Sequence, residues 1–164
     1  MGLLGVVNNL RGGGLTALAG NYIAVTADLS AATWNTVASH EVLTVTGLVR
    51  LRIWIECTKT LVDAADGADI QFGLEGVTDA FIAATGAAGK GGSTLSAGEL
   101  WYDTSPATVY DTMGNVVMDY VVNGLDVGYE ITGAALTDGT LVFHCVWEPL
   151  NASGNVVAGA GGTL

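Results

Sequence analysis

One stretch of this sequence, residues 48–61, constrains the fold more than any other. Apolar and mostly polar residues alternate along it. The apolar residues are Val49, Leu51, Ile53, Ile55 and Cys57, and the residues between and after them are Arg50, Arg52, Trp54, Glu56 and Thr58. An α-helix would mix these two sets, whereas a pleated strand sends them to opposite faces. The stretch therefore predicts a long strand of an antiparallel sheet, with one face buried and the other toward solvent or a partner.

Shorter runs repeat this pattern along the chain, beginning with the alternation of residues 21–29. Between the runs lie many of the 24 glycines, which suit tight turns. Asn123-Gly124 predicts a hairpin between 116–122 and 125–132, and Asp138-Gly139 predicts a turn before a strand at 141–147. Residues 78–85 fit either a strand or a helical turn, and residues 99–102 and 108–110 predict two short strands on either side of Pro106. About eight short strands predict an all-β fold, an antiparallel β-sandwich of jelly-roll-like or Greek-key type, with a barrel as the alternative.

The two ends of the chain differ from its middle. Residues 1–20 keep neither a helical nor a strand period, and residues 151–164 are rich in glycine and alanine. We therefore expect an extended N-terminal arm (1–20), a single sandwich domain (21–150) and a glycine-rich C-terminal tail (151–164). The arm carries candidate subunit contacts, which are Leu3, Leu4, Val6, Val7 and Arg11. They pack either on their own domain or on a neighbouring subunit.

Charge narrows the possible partners. Sixteen acidic residues against five basic ones give a net charge of −11, which opposes both nucleic acid and anionic membrane surfaces. No stretch approaches the 18 apolar residues that would suggest a membrane span. The first residues lack the basic start of a secretory signal, so synthesis in the cytoplasm without classical export is expected.

Matches to known catalytic and ligand-binding motifs are weak throughout the sequence. The loop 86–94 (GAAGKGGST) misses the phosphate-loop spacing, because Gly86 stands only three residues before Gly89-Lys90. The two histidines lack a nucleophile elbow and the close ligand pairs of a zinc site. We therefore expect a protein that is not an enzyme and needs no cofactor or metal. Two questions stay open: whether Asp63, Asp66 and Asp69 hold a calcium ion, and whether Cys57 and Cys145 form a disulfide or are two buried thiols.

The aromatic residues suggest where a partner binds. Trp54 shares the polar face of its strand with Arg50 and Arg52, and tryptophan and arginine are enriched at the centres of protein interfaces. This face either contacts another subunit or lies under a loop or the arm. The remaining tryptophans, Trp34, Trp101 and Trp147, are expected in the core. A carbohydrate-binding sandwich is a rival hypothesis, with Trp101, Tyr102 and Tyr110 as a row for sugar stacking.

As a whole, residues 20–150 resemble the small β-sandwich virion proteins of tailed bacteriophages, above all the capsid decoration (cement) proteins. The resemblance lies in residues 46–60 (TGLVRLRIWIECTKT), 97–106 (AGELWYDTSP) and 123–150 (NGLDVGYEITGAALTDGTLVFHCVWEPL). It implies a homotrimer or other oligomer on the capsid surface of a virion, made in the host cytoplasm, that clamps adjacent copies of the major capsid protein. A tail, fibre or portal-vertex protein is the alternative within the same class.

Overall fold

Ten β-strands and one short helix make up the part of the chain that the computed structural model describes, residues 21–65, 67–87, 95–104 and 117–164. The strands are β1 (Asn21–Asp28), β2 (Ser39–Thr46), β3 (Leu48–Asp63), β4 (Asp69–Leu74), β5 (Val77–Gly86), β6 (Glu99–Leu100), β7 (Met118–Asn123), β8 (Val127–Thr132), β9 (Leu136–Pro149) and β10 (Asn155–Ala158). A single helical turn, α1 (Ala32–Asn35), connects β1 to β2.

These strands form two five-stranded sheets in which every pair is antiparallel. Sheet A has the order β1-β9-β3, with β6 and β7 both paired to the other side of β3. Sheet B has the order β10-β2-β8-β4-β5. The all-β antiparallel sandwich is therefore confirmed. Its classification as jelly roll or Greek key stays a prediction.

The core lies between the two sheets and follows the predicted alternation. On β3, the five side chains assigned to the apolar parity, from Val49 to Cys57, are buried. Four aromatic rings fill the centre: Phe72 lies 5.5 Å from Phe143 and 6.2 Å from Trp101, and Tyr129 stacks on Phe143 at 5.6 Å. Trp101 is fully buried, as expected, and Trp34 and Trp147 pack against the core while partly exposed.

The expected hairpin at Asn123-Gly124 is wrong. Gly124 has the positive φ (65°) that an Asn-Gly turn needs, but β7 pairs with β3 in sheet A while β8 belongs to sheet B. The turn is a corner between sheets. Gly47 forms a second corner beside it, between β2 and β3, and its carbonyl accepts a hydrogen bond from Gly124 N at 3.0 Å. A positive φ favours a tight turn, but it does not choose the strand that pairs next.

The turn expected at Asp138-Gly139 is likewise wrong, because both residues lie inside β9. The ladder between β3 and β9 shifts register here, from Lys59 opposite Thr140 to Val62 opposite Asp138. Gly139 has φ 124°, and a Cβ at this position would lie 2.9 Å from the Cα of Leu61. The dipeptide therefore marks a β-bulge, at which the chain continues in the same sheet.

Residues 78–85, left open between strand and helical turn, belong to β5 and pair with β4. That ladder contains two register shifts, which explains why the alternation is not visible in the sequence. The short strand expected at 99–102 is confirmed in its first half as β6. The one expected at 108–110 lies outside the described residues.

The C-terminal segment is part of the sandwich. Residues 151–164 were expected to be a tail, but β10 pairs along β2, and Val156 is buried. Beyond β10, Gly159 N donates to Val42 O (2.7 Å) and Gly161 N donates to Glu41 O (3.1 Å). Small residues are needed here because the backbone lies close to its neighbours: a Cβ on Gly161 would lie 2.9 Å from the Trp34 ring.

Candidate interaction surface

The solvent-facing side of sheet A brings together aromatic and charged side chains that are exposed or half-buried. We call this group the Trp54 surface. It consists of Tyr22 from β1, Arg50, Arg52, Trp54 and Glu56 from β3, Asp119 from β7, and His144 and Glu148 from β9. Along each strand these residues alternate with the residues that fill the core, so their side chains lie on the face of the sheet that points away from the core.

Three rings form the centre of the Trp54 surface. Trp54 stacks on His144 with centroids 5.0 Å apart and planes 8° apart, and Tyr22 lies 6.2 Å from His144 and 6.4 Å from Trp54. The Tyr22 hydroxyl and His144 Nδ1 share a hydrogen bond of 2.8 Å. Tyr22 is 57% exposed, so the cluster meets solvent.

Charged side chains flank these rings. Arg50 donates two hydrogen bonds to the Asp119 carboxylate (2.8 and 2.6 Å) and a third to Glu148 (3.2 Å). The guanidinium beside Asp119 holds the pKa of that carboxyl below its usual value. Arg52 Nε lies 3.5 Å from the same carboxylate, and about half of its side chain is exposed. Arg50 is therefore held by its neighbours, whereas Arg52 is freer to bind a partner.

The sequence correctly placed Arg50, Arg52 and Trp54 together on an outward face. Tyr22, Asp119, His144 and Glu148 were missed, since their strands become neighbours of β3 only through the sheet topology. The one sequence signal that could have placed these four residues on the solvent-facing side is that each alternates with core residues along its strand. The expected arm contacts Leu3, Leu4, Val6, Val7 and Arg11 lie outside the described residues, so the alternatives for the arm stay open.

The row proposed for sugar stacking is not formed as expected. Trp101 is fully buried, and its indole N–H donates to Thr85 Oγ1 at 3.2 Å inside the core. It therefore cannot offer a ring face to a ligand. Tyr110 lies outside the described residues.

The acidic turn has a structural role for one of its three carboxylates. Asp63 Oδ2 accepts hydrogen bonds from Gly67 N (2.7 Å) and Ala68 N (3.1 Å), which ties down the turn between β3 and β4. Asp66 lies outside the described residues. No group of three or more potential metal ligands occurs within the described ranges. No helix in the same ranges is long and apolar enough to cross a membrane.

The two cysteines are free thiols inside sheet A. Cys145 lies opposite Ile53 on β3, and Cys57 lies four residues further along that strand. At about 3.4 Å per residue this offset is roughly 14 Å, too far for a disulfide. Burial raises the pKa of both thiols to about 12.

We predict that neither thiol reacts with a thiol-specific reagent such as Ellman's reagent while the protein is folded. The thiolate is the reactive form, and burial opposes both deprotonation and access. Absorbance at neutral pH should show no labelling in buffer and two equivalents in denaturant. Rapid labelling of either thiol in buffer would contradict the buried positions.

Comparison with protein families, with curated proteins and with solved structures finds no match for this chain.

Proposed function

We propose that this chain is a non-enzymatic structural protein of a virion, specifically a capsid decoration protein. In this proposal it binds the major capsid protein through the Trp54 surface. The observation that carries the proposal is the cluster of Trp54, Tyr22 and His144 on the open face of sheet A, beside the partly free Arg52. The bacteriophage class and the shell partner rest on the resemblance described above.

A protein partner fits this surface better than a sugar. Sugars stack on open ring faces, whereas Trp54 and His144 turn their faces toward each other at 5.0 Å. Tryptophan, tyrosine and arginine are the residue types that dominate binding energy at protein interfaces. The stacked cluster, flanked by the ion pairs of Arg50, therefore suits contact with another protein.

The charge distribution supports binding to a repeated lattice. A net charge of −11 keeps free copies soluble and limits nonspecific aggregation. Three of the five basic residues, Arg50, Arg52 and Lys59, lie on β3. Arg50 and Lys59 each form an ion pair at 2.6 Å, which leaves Arg52 as the least compensated cation of that strand. Many modest contacts repeated over a shell reach high avidity through effective concentration. Self-association into an oligomer would multiply the contacts further.

The test is saturation of capsids that lack the protein, prepared from the virus that encodes it. We expect uptake in a fixed ratio to the shell protein. Trp54→Ala and Arg52→Glu should each weaken uptake at least about tenfold. Val77→Ala is the matched control, because Val77 is an exposed apolar residue on sheet B (54%) and its loss should leave uptake unchanged.

The alternatives give different results in the same experiment. Binding to tails or fibres but not to capsids would reassign the protein to another part of the virion. Binding to a glycan array, lost in Trp54→Ala, would favour the carbohydrate-binding hypothesis. Uptake on capsids that neither Trp54→Ala nor Arg52→Glu affects would overturn the proposed surface.

A further inference from the structure

Strand β1 forms a free edge of sheet A. Within the described ranges it pairs with β9 alone, in an unbroken register from Asn21 opposite Trp147 to Asp28 opposite Thr140. One step further on, Leu29 N donates to Gly139 O (3.0 Å), which identifies that pair as hydrogen-bonded. Antiparallel ladders alternate, so the odd-numbered residues of β1 point their N–H and C=O groups toward β9. The even-numbered ones point away from it.

The groups on this free edge are the backbone N–H and C=O of Tyr22, Ala24 and Thr26. The row of free groups ends before the Asp28 carbonyl, because that carbonyl accepts a hydrogen bond from Ala31 N at 3.0 Å. Open strand edges of this kind are templates for pairing with another chain. The row is centred on Ala24, whose side chain is small and exposed.

The other outer strands have features that disfavour pairing with a strand of another chain. In sheet B, β10 is four residues long, and the ladder of β5 is broken by two register shifts. In sheet A, β7 carries the charged Asp119 as its second residue, and β6 has two residues. β1 instead runs eight residues without proline or register shift, and its one charge, Asp28, stands at the end. β1 is therefore the least protected of these edges.

We propose that β1 pairs antiparallel with β1 of a second copy, around a two-fold axis at Ala24. Ala24 then lies opposite Ala24 of the second copy, and Tyr22 lies opposite Thr26 of the second copy. All the free N–H and C=O groups of Tyr22, Ala24 and Thr26 pair in this register. On the inner face, Ile23 lies opposite Val25 of the second copy, so apolar residues meet apolar residues.

The charge distribution along β1 permits a second copy as the occupant. Each chain carries −11, so two copies repel unless they meet where like charge is low. The paired segment 22–26 has no charged residue, and Asp28 lies beyond it. The pairing joins two A sheets and brings the two Trp54 surfaces onto one continuous face. It does not depend on what that face binds.

The inferred assembly is a dimer, because a two-fold pairing uses the same edge on both copies and leaves none for a third. This differs from the trimer that the resemblance implies. A short edge contact buries less than the roughly 1,600 Å² of a standard interface, so we expect a dissociation constant on the order of micromolar.

The first test removes a backbone donor from the edge. In Ala24→Pro the missing N–H has no partner among residues 21–65, 67–87, 95–104 and 117–164, and proline is tolerated on edge strands that face solvent. Sedimentation equilibrium should show a wild-type dimer and a monomeric variant, with a melting temperature close to wild type. A monomeric wild type at about 100 μM, a trimer, or a variant that still dimerises would each overturn the proposal.

The second test uses side chains and does not depend on how proline affects the strand. Lysine or glutamate at position 24 faces the same residue across the axis, so each variant alone should dimerise at least about tenfold more weakly. An equal mixture of Ala24→Lys and Ala24→Glu should recover the dimer as a heterodimer, measured by native mass spectrometry. If the mixture stays monomeric while wild type is dimeric, residue 24 is not at the axis and the proposal fails.

Discussion

Replacing Phe143 with alanine should destabilise the fold by about 3–5 kcal/mol, the usual cost of removing a large aromatic side chain from a packed core. Phe143 is fully buried and joins the sheets, with Phe72 at 5.5 Å and Tyr129 at 5.6 Å, both from sheet B. For a chain of this length the melting temperature should fall by about 6–20 °C. Thermal unfolding followed by circular dichroism measures the shift.

Val142→Ala is the matched control for Phe143→Ala. Val142 is the neighbouring residue on β9. Its side chain lies on the outer face of sheet A and is half-buried. Its truncation should cost less than about 1 kcal/mol. Equal losses from the two variants would contradict the assignment of inner and outer faces on β9.

Ending the chain at Leu150 should destabilise it by at least about 4 kcal/mol and leave much of it unfolded. The truncation removes β10, exposes the edge of β2, and deletes Val156 from the core. It also removes the amide hydrogen bonds that Gly159 and Gly161 donate to β2. Chemical denaturation should show a lower midpoint for the truncated chain. A dispensable tail would instead leave the midpoint unchanged.

Two point variants separate the packing of β10 from chain length. Val156→Ser places a hydroxyl in a buried position and should lower stability by about 2–3 kcal/mol. Val157→Ser changes a side chain that is 47% exposed and should change stability by less than about 0.5 kcal/mol. Similar midpoints for the two variants would show that β10 does not pack as described.

The fold could be predicted well wherever one strand face is buried and the other is not. The alternation of β3 gave the correct inner and outer faces, because a one-residue slip would have sent every apolar side chain to solvent. The same argument was not available for β5, whose ladder shifts register twice. Glycine dipeptides were the weakest guide: Asn123-Gly124 forms a corner between sheets, and Asp138-Gly139 lies inside β9, opposite a bulge of β3.

The candidate surface was predictable in part for a related reason. Arg50, Arg52 and Trp54 share one strand, so their common face follows from local geometry alone. Tyr22 and His144 stand 122 residues apart, and only the pairing of β1 with β9 brings them within 2.8 Å. The free edge of β1 is also invisible in the sequence, because it depends on which strands do not pair with it.

By itself, the sequence determined the class of fold, the long strand and its two faces, the acidic charge, and three residues of the candidate surface. Those properties depend on local periodicity and composition. The tertiary structure alone decided the order of strands in the sheets, the roles of Gly124 and Gly139, the place of residues 151–164, and the neighbours of Trp54. Strand pairing is a long-range choice, made by which complete arrangement buries all the apolar faces at once, and no short stretch of sequence records it.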